Sequence, residues 1–318
     1  MRSGPACRLR FGSLDLRLHA RPRYVEVFPL HFRLWATDDD DSTPDVELVI
    51  TDDEEPRALV EHVRDPLVEQ LTATGRRLCT SISTLEVDQR ALPARASLVM
   101  HPAGQDDAYV DFYVAMNVRA LLRAFGRVQL HGAAVVTAHR TALFLGDKGA
   151  GKSTIALAFG RAGAGVLADD QVMLRADDDQ IRISGVEGGL RVTAQTERHF
   201  FDAPLDATPR DFGGTLKKEV RLGDHVHARP NHDYELDALY FPRVEREFAV
   251  APLARSVALS RVLESVVPLH RFAGMRDQSE FVRTMTRFVS SVEVYELTLG
   301  TDLAGLDALV GELAIRAS

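Results

Sequence analysis

The nine residues GDKGAGKST, from Gly146 to Thr154, restrict the possible folds of this chain more than any other stretch. Gly146, Gly151, Lys152 and Ser153 stand in the spacing Gly-x-x-x-x-Gly-Lys-Ser, a loop that ends in a cation and a hydroxyl. Glycines at 146, 149 and 151 permit backbone conformations in which successive N–H groups turn inward toward an anion. An apolar run of strand length, TALFL, precedes the loop; an alanine-rich helical stretch, STIALAFGRAGA, follows it; VLADDQVML then reads as another strand. Strand, loop, helix and strand in that order predict a phosphate-binding α/β unit.

The chemistry of the loop follows from its residues. Gly146, Asp147, Lys148, Gly149, Ala150, Gly151, Lys152, Ser153 and Thr154 form the candidate nucleotide-binding segment. Lys152 is placed to meet the β and γ phosphates, Ser153 to offer its hydroxyl to Mg2+, and the following helix aims its positive end at the same anion. ATP with Mg2+ is the expected cofactor pair, although no motif reads the base and GTP stays open. Asp169 and Asp170 come next, at the predicted end of the following strand. One carboxylate there suffices for magnesium. A second can take a proton from an incoming hydroxyl, which a kinase needs and a motor ATPase does not. The alternative is an aspartate that only caps or lines the loop. His131, in LHGAAV, belongs to a strand expected beside the loop strand, either as a hydrogen-bonded core residue or as part of the site.

The rest of the chain fits a two-part organisation: an N-terminal α+β module over 1–125 and a second domain over 126–318. Residues 1–20 are expected to form a loose arm. YVEVF, HFRLW and VELVI alternate like half-buried strands. Residues 54–77 carry leucines and valines at helical spacing, as do 112–125, ended by Gly126. Later helices are expected near 256–267, 279–289 and 303–315, with short strands IRISG, GGLRVTA, LDALYFPRV and EVYELTL, and a polar, loop-rich TLKKEVRLGDHVHARPNHDYE. His225, His227, His232 and Asp233 in that stretch lack a zinc-site spacing.

Composition narrows the function classes. A net charge of −8 with scattered arginines argues against nucleic acid as a partner. No run reaches the ~18 apolar residues that a membrane span needs, so no membrane partner is expected. Cys7 and Cys79 are far apart, and a reducing, cytoplasmic setting is expected.

LHGAAVV followed by ALFLGDKGAGKSTIALAFGRAGAGVLADDQVML resembles the catalytic core of HPr kinase/phosphorylase and its related kinases. That family joins a His-Gly strand, a loop closing in Gly-Lys-Ser, a glycine near the end of the next helix, and an Asp-Asp pair. The resemblance implies a P-loop kinase core of the HPr kinase and phosphoenolpyruvate carboxykinase type. It implies Asp169 as the base for a serine hydroxyl, Asp170 and Ser153 on the metal, and His131 near the phosphates. A basic residue downstream corresponds to Lys217 or Lys218, and Arg191 is a further candidate to face the phosphates. HPr kinases usually carry an acid after the loop serine where this chain has Thr154, and their glycine-rich signature has no clear counterpart in SGVEGGLRVTAQT. Both departures point away from HPr and from phosphorolysis. Related kinases tailor small ribosomal peptides, including lasso peptides, so the implied acceptor is a serine of a peptide or small protein. HPr kinases also assemble into rings, which raises assembly of copies of this chain.

These readings favour a magnesium- and ATP-dependent kinase acting on a hydroxyl. The rivals are a regulatory ATPase that switches shape without an acceptor, a kinase for free serine, and a carboxykinase-like enzyme, for which no manganese-ligand set is evident.

Overall fold

A computed structural model describes residues 6–25, 36–37, 42–53, 68–80, 82–105, 110–176, 180–186, 189–212, 214–229, 232–266 and 275–315. The protein is mixed α/β and divides into two compact units, one of Met1–Val128 with Pro268–Ser279, the other of Gln129–Val267 with Glu280–Ser318.

The first unit is a seven-stranded sheet in the order β1-β2-β3-β7-β6-β5-β4. Its strands are β1 (Ala6–Phe11), β2 (Leu14–His19), β3 (Val46–Asp52), β4 (Val68–Leu71), β5 (Gly75–Cys79), β6 (Ser83–Asp88) and β7 (Ala94–Met100). The expected loose arm is therefore wrong: β1 and β2 form an antiparallel hairpin, and β2 continues the sheet by pairing with β3. Leu9, Phe11, Leu14, Leu16 and Leu18 alternate into the core, and Arg8 is buried against Asp15 with Nη2···Oδ2 at 2.6 Å. That alternation is present in the sequence, but its interleaved arginines make the segment look solvated.

The expected helix over 54–77 is also corrected where it is described. Val68–Leu71 and Gly75–Cys79 are strands joined by a turn in which the Thr72 amide donates to the Gly75 carbonyl at 3.0 Å; residues 54–67 lie outside the described residues. Of YVEVF, Tyr24 and Val25 lie in a helical turn at 22–25 rather than a strand, and its remaining residues and HFRLW fall outside the described ones. Helix α1 (Val110–Ala124) forms as its spacing predicts, burying Val114, Val118, Leu121 and Leu122. Its Asn117 accepts a hydrogen bond from Ser83 of β6 at 3.0 Å, which ties the helix to the sheet.

The second unit holds an eight-stranded mixed sheet, β15-β11-β10-β8-β9-β16-β18-β17, and a small sheet β12-β14-β13. Its strands and helices are β8 (Arg127–Val136), β9 (Thr141–Leu145), α2 (Lys152–Arg161), β10 (Gly165–Ala176), β11 (Ile181–Gly185), β12 (Gly189–Val192), α3 (Ala194–Phe200), β13 (Arg210–Asp211), β14 (Leu216–Arg221), β15 (Tyr234–Glu235), β16 (Ala238–Glu245), β17 (Ala249–Pro252), α4 (Arg255–Ser265), α5 (Met275–Ser291), β18 (Glu293–Gly300) and α6 (Leu306–Ile315). β9, β16 and β18 run parallel, while β8 joins β9 antiparallel. The parallel trio is stacked through its side chains. Phe144, Tyr240 and Tyr295 sit opposite one another in register, with ring centroids 5.5 Å and 5.3 Å apart. Phe159 of α2 closes on Phe144 at 5.8 Å.

One local expectation changes here: Leu216–Arg221 is a strand within the stretch expected to be loop-rich. On α5, Met285, Phe288 and Val289 are buried while Val282 is 47% exposed. Among the described residues no helix is long and apolar enough to cross a membrane.

The aromatic stack packs the strand end from which the glycine loop leaves. Phe144→Ala is therefore expected to destabilise the protein by about 3–5 kcal/mol, and Phe144→Leu by clearly less, as read by urea denaturation.

Candidate phosphate-binding and transfer site

The loop from Gly146 to Gly151 leaves the end of β9, where the parallel strands leave room for a ligand. Gly149 and Gly151 have φ of +83° and +96°, left-handed conformations that open the loop around its amides. Gly151 is also crowded, because a Cβ there would lie 2.4 Å from Cδ1 of Leu299. The left-handed backbone demands glycine, and any side chain there would in addition have to displace the Leu299 methyl. Lys152 begins α2, and its buried ammonium donates to the carbonyls of Gly146 at 2.6 Å and Asp147 at 2.9 Å. Burial lowers the pKa of Lys152, against the opposing pull of the Asp169 and Asp170 charges.

The cleft beside this loop has a volume of about 280 Å³. Lys148, Gly149, Gly151, Lys152, Ser153 and Thr154 line it, together with His131, Asp169 and Asp170. Gly146, Asp147 and Ala150 shape the loop without lining the cleft. The acidic pair lies within β10 rather than at its end: the strand runs on to Ala176 because its second half pairs with β11 from Val172 onward.

The two aspartates have opposite environments. Asp169 is 2% exposed. Its Oδ2 accepts from the Arg191 amide at 3.0 Å, and the Ser153 hydroxyl bonds to the same carboxyl. Burial raises Asp169 to about 7 despite those two hydrogen bonds, which act to lower it. For Asp170, burial also acts to raise the pKa, but the hydrogen bond of His131 and the charge of Arg191 outweigh it and hold the carboxyl below its usual range. The contacts are 3.1 Å from His131 Nδ1 and 2.8 Å from Arg191 Nη1. Two neighbouring carboxyls pushed apart in this way can serve as proton acceptor and fixed anion.

Arg191 and Lys217 come from the small sheet. Arg191 of β12 also reaches Glu219 at 3.4 Å and lies over the Phe212 ring, 4.7 Å from its centroid. Of the two candidate lysines, Lys217 lines the cleft, whereas Lys218 turns away to Glu197 at 2.8 Å and the Leu205 carbonyl at 2.9 Å. Successive residues on a strand point to opposite faces, which decides between them. The sequence reading missed Thr193, Thr196, Phe212 and Thr215, which complete the wall. Thr196 Oγ1 lies 3.2 Å from Thr154 Oγ1 and 3.0 Å from Thr193 Oγ1, joining the loop helix to α3 through hydroxyls. Lone threonines spread along the chain carry no spacing signal. The histidine stretch does not converge: His227 bonds Arg229 at 2.7 Å and Asp233 pairs with Arg175 at 3.4 Å. Among the described residues no group of three or more His, Cys, Asp and Glu is arranged to hold a metal ion. Magnesium asks for less, taking one or two carboxylates with waters and phosphate oxygens. The hard oxygens of Ser153 and the acidic pair fit that demand.

No family model and no curated protein matches the chain. Among solved structures it is similar to the HPr(Ser) kinase/phosphatase from Coxiella burnetii, with 11% identity over 59% of this chain and 88% of that chain, at a TM-score of 0.32. A likeness that loose assigns no activity to the cleft.

Two outcomes are expected from this geometry. Gly151→Ala should cost about 1–3 kcal/mol of stability and weaken nucleotide binding, measured by urea denaturation and calorimetry. The second concerns pH. Asp169 has a folded pKa above its unfolded value, so its contribution to stability is full at low pH and is lost as pH rises through about 7. Asp169→Asn lacks that loss. In metal-free buffer its stability relative to the parent chain should rise between pH 5 and pH 8.5.

Proposed function

We propose that the chain is a magnesium- and ATP-dependent kinase that phosphorylates a hydroxyl, a serine of a peptide or small protein, and that residues 126–318 carry the chemistry as a P-loop kinase core. The observation that carries this reading is the acidic pair beside the glycine loop, with Asp169 raised to about 7 and Asp170 held ionised. A loop that only bound nucleotide would need one carboxylate, and it would not need a second tuned near neutrality.

In this reading Lys152 and the loop amides hold the β and γ phosphates, and Ser153 and Asp170 hold the metal. Magnesium bound there would neutralise charge on the β and γ oxygens. The acceptor hydroxyl lies between Asp169 and the γ phosphorus. Asp169 takes the hydroxyl proton as the acceptor oxygen bonds to phosphorus and the bond to the β–γ bridging oxygen breaks, leaving ADP. The side chain of Lys217 lines the cleft and acts on Asp169 and Lys152 through its charge, which places its ammonium to meet the transferred phosphoryl group. His131 keeps Asp170 ionised and oriented. In-line positioning and this fixed array of charge supply the catalysis.

The test offers γ-labelled ATP and magnesium with free serine, a pool of serine-containing peptides, and HPr in separate tubes. Label is expected on peptide, and Asp169→Asn should lower its transfer at least about 100-fold with nucleotide affinity changed less than about threefold. Unchanged transfer in that variant removes Asp169 as the base. Label released only as inorganic phosphate, at one rate in every tube, would establish the ATPase switch instead.

A further inference from the structure

The motif leaves the residues between Gly146 and Gly151 open, yet this chain places a lysine at 148. Lys148 is exposed, and its ammonium donates to the carbonyl of Phe212. Phe212 stands at the tip of the β13–β14 hairpin, where its own amide donates to the Thr215 carbonyl at 3.0 Å and the Gly214 amide donates to Asp211 Oδ1 at 2.6 Å. The ring of the same residue carries the guanidinium of Arg191, which is bound in turn to Asp170. Phe212 is thus fastened by two cations, Lys148 of the glycine loop and Arg191 of β12, the latter itself bound to Asp170.

A single ammonium cannot hold this carbonyl and a phosphate in the same geometry, and a multiply charged phosphate is the stronger acceptor. We propose that Lys148 is a positioning residue that links occupancy of the phosphate loop to the place of Phe212. With the loop empty, Lys148 holds the tip against the cleft. A bound triphosphate draws the ammonium away, and the tip is released on the side from which the acceptor enters. Nucleotide therefore binds before acceptor, and the coupling is reciprocal, so a tip held in place weakens the hold on phosphate. This inference rests on the kinase reading of the cleft.

The test uses the full chain, alone and with magnesium and a non-hydrolysable ATP analogue. Calorimetry establishes binding, and hydrogen exchange is read at the amides of Phe212 and Gly214. Exchange there is expected to quicken about twofold to tenfold on binding, the worth of one exposed hydrogen bond. Lys148→Met should show the faster exchange with no nucleotide present, and Lys148→Arg should restore protection. Equal exchange with and without bound analogue overturns the coupling alone. Unchanged exchange in unliganded Lys148→Met overturns the tether. A chain that binds no analogue overturns the reading of the cleft, and the coupling with it.

Discussion

Arg191 holds two neighbouring carboxyls at once, its backbone amide on Asp169 and its guanidinium on Asp170. A buried carboxylate without partners is costly, and two side by side repel each other. Arg191 resolves this asymmetrically, since an amide supplies a hydrogen bond without net charge, whereas a guanidinium supplies both. The small sheet keeps that arrangement in place. β12 pairs with β14 from Gly189 to Val192, which sets Arg191 opposite Glu219 and sends Lys217 into the cleft while Lys218 anchors the far side to Glu197.

The loop that faces this pair depends on a different kind of support. Its glycines give shape but no rigidity, so its position comes from the strand it leaves. Phe144, Tyr240 and Tyr295 lock three parallel strands at one level, and Leu299 of β18 packs where any side chain at Gly151 would have to go. Ring stacking of this kind adds to the area buried, which makes the loop's base stiff. Three cations of the cleft turn to internal acceptors: Lys152 to loop carbonyls, Lys148 to Phe212, and Arg191 to Asp170. The same groups that suit phosphate therefore also hold the walls of the cleft together.

Much of this arrangement is legible in the sequence. The glycine spacing, the strand before it and the helix after it are local patterns, set by backbone conformations and hydrophobic periodicity within a few residues. His131, Lys152, Ser153, Asp169 and Asp170 converge because the short hairpin β8–β9 and the helix α2 leave little freedom in how they return. The N-terminal hairpin escapes a sequence reading for a physical reason. Arg8 looks like a surface residue until Asp15 neutralises it inside the sheet, and that pairing requires the strands to be in register first.

By itself, then, the sequence determined the glycine loop, its flanking strand and helix, and the acidic pair beyond them. Only the tertiary structure decided which of Lys217 and Lys218 enters the cleft, that Arg191 divides the two aspartates, and that Phe212 stands against Lys148. Those contacts join strands distant along the chain, and strand register and burial, which no local pattern encodes, settle which charges meet.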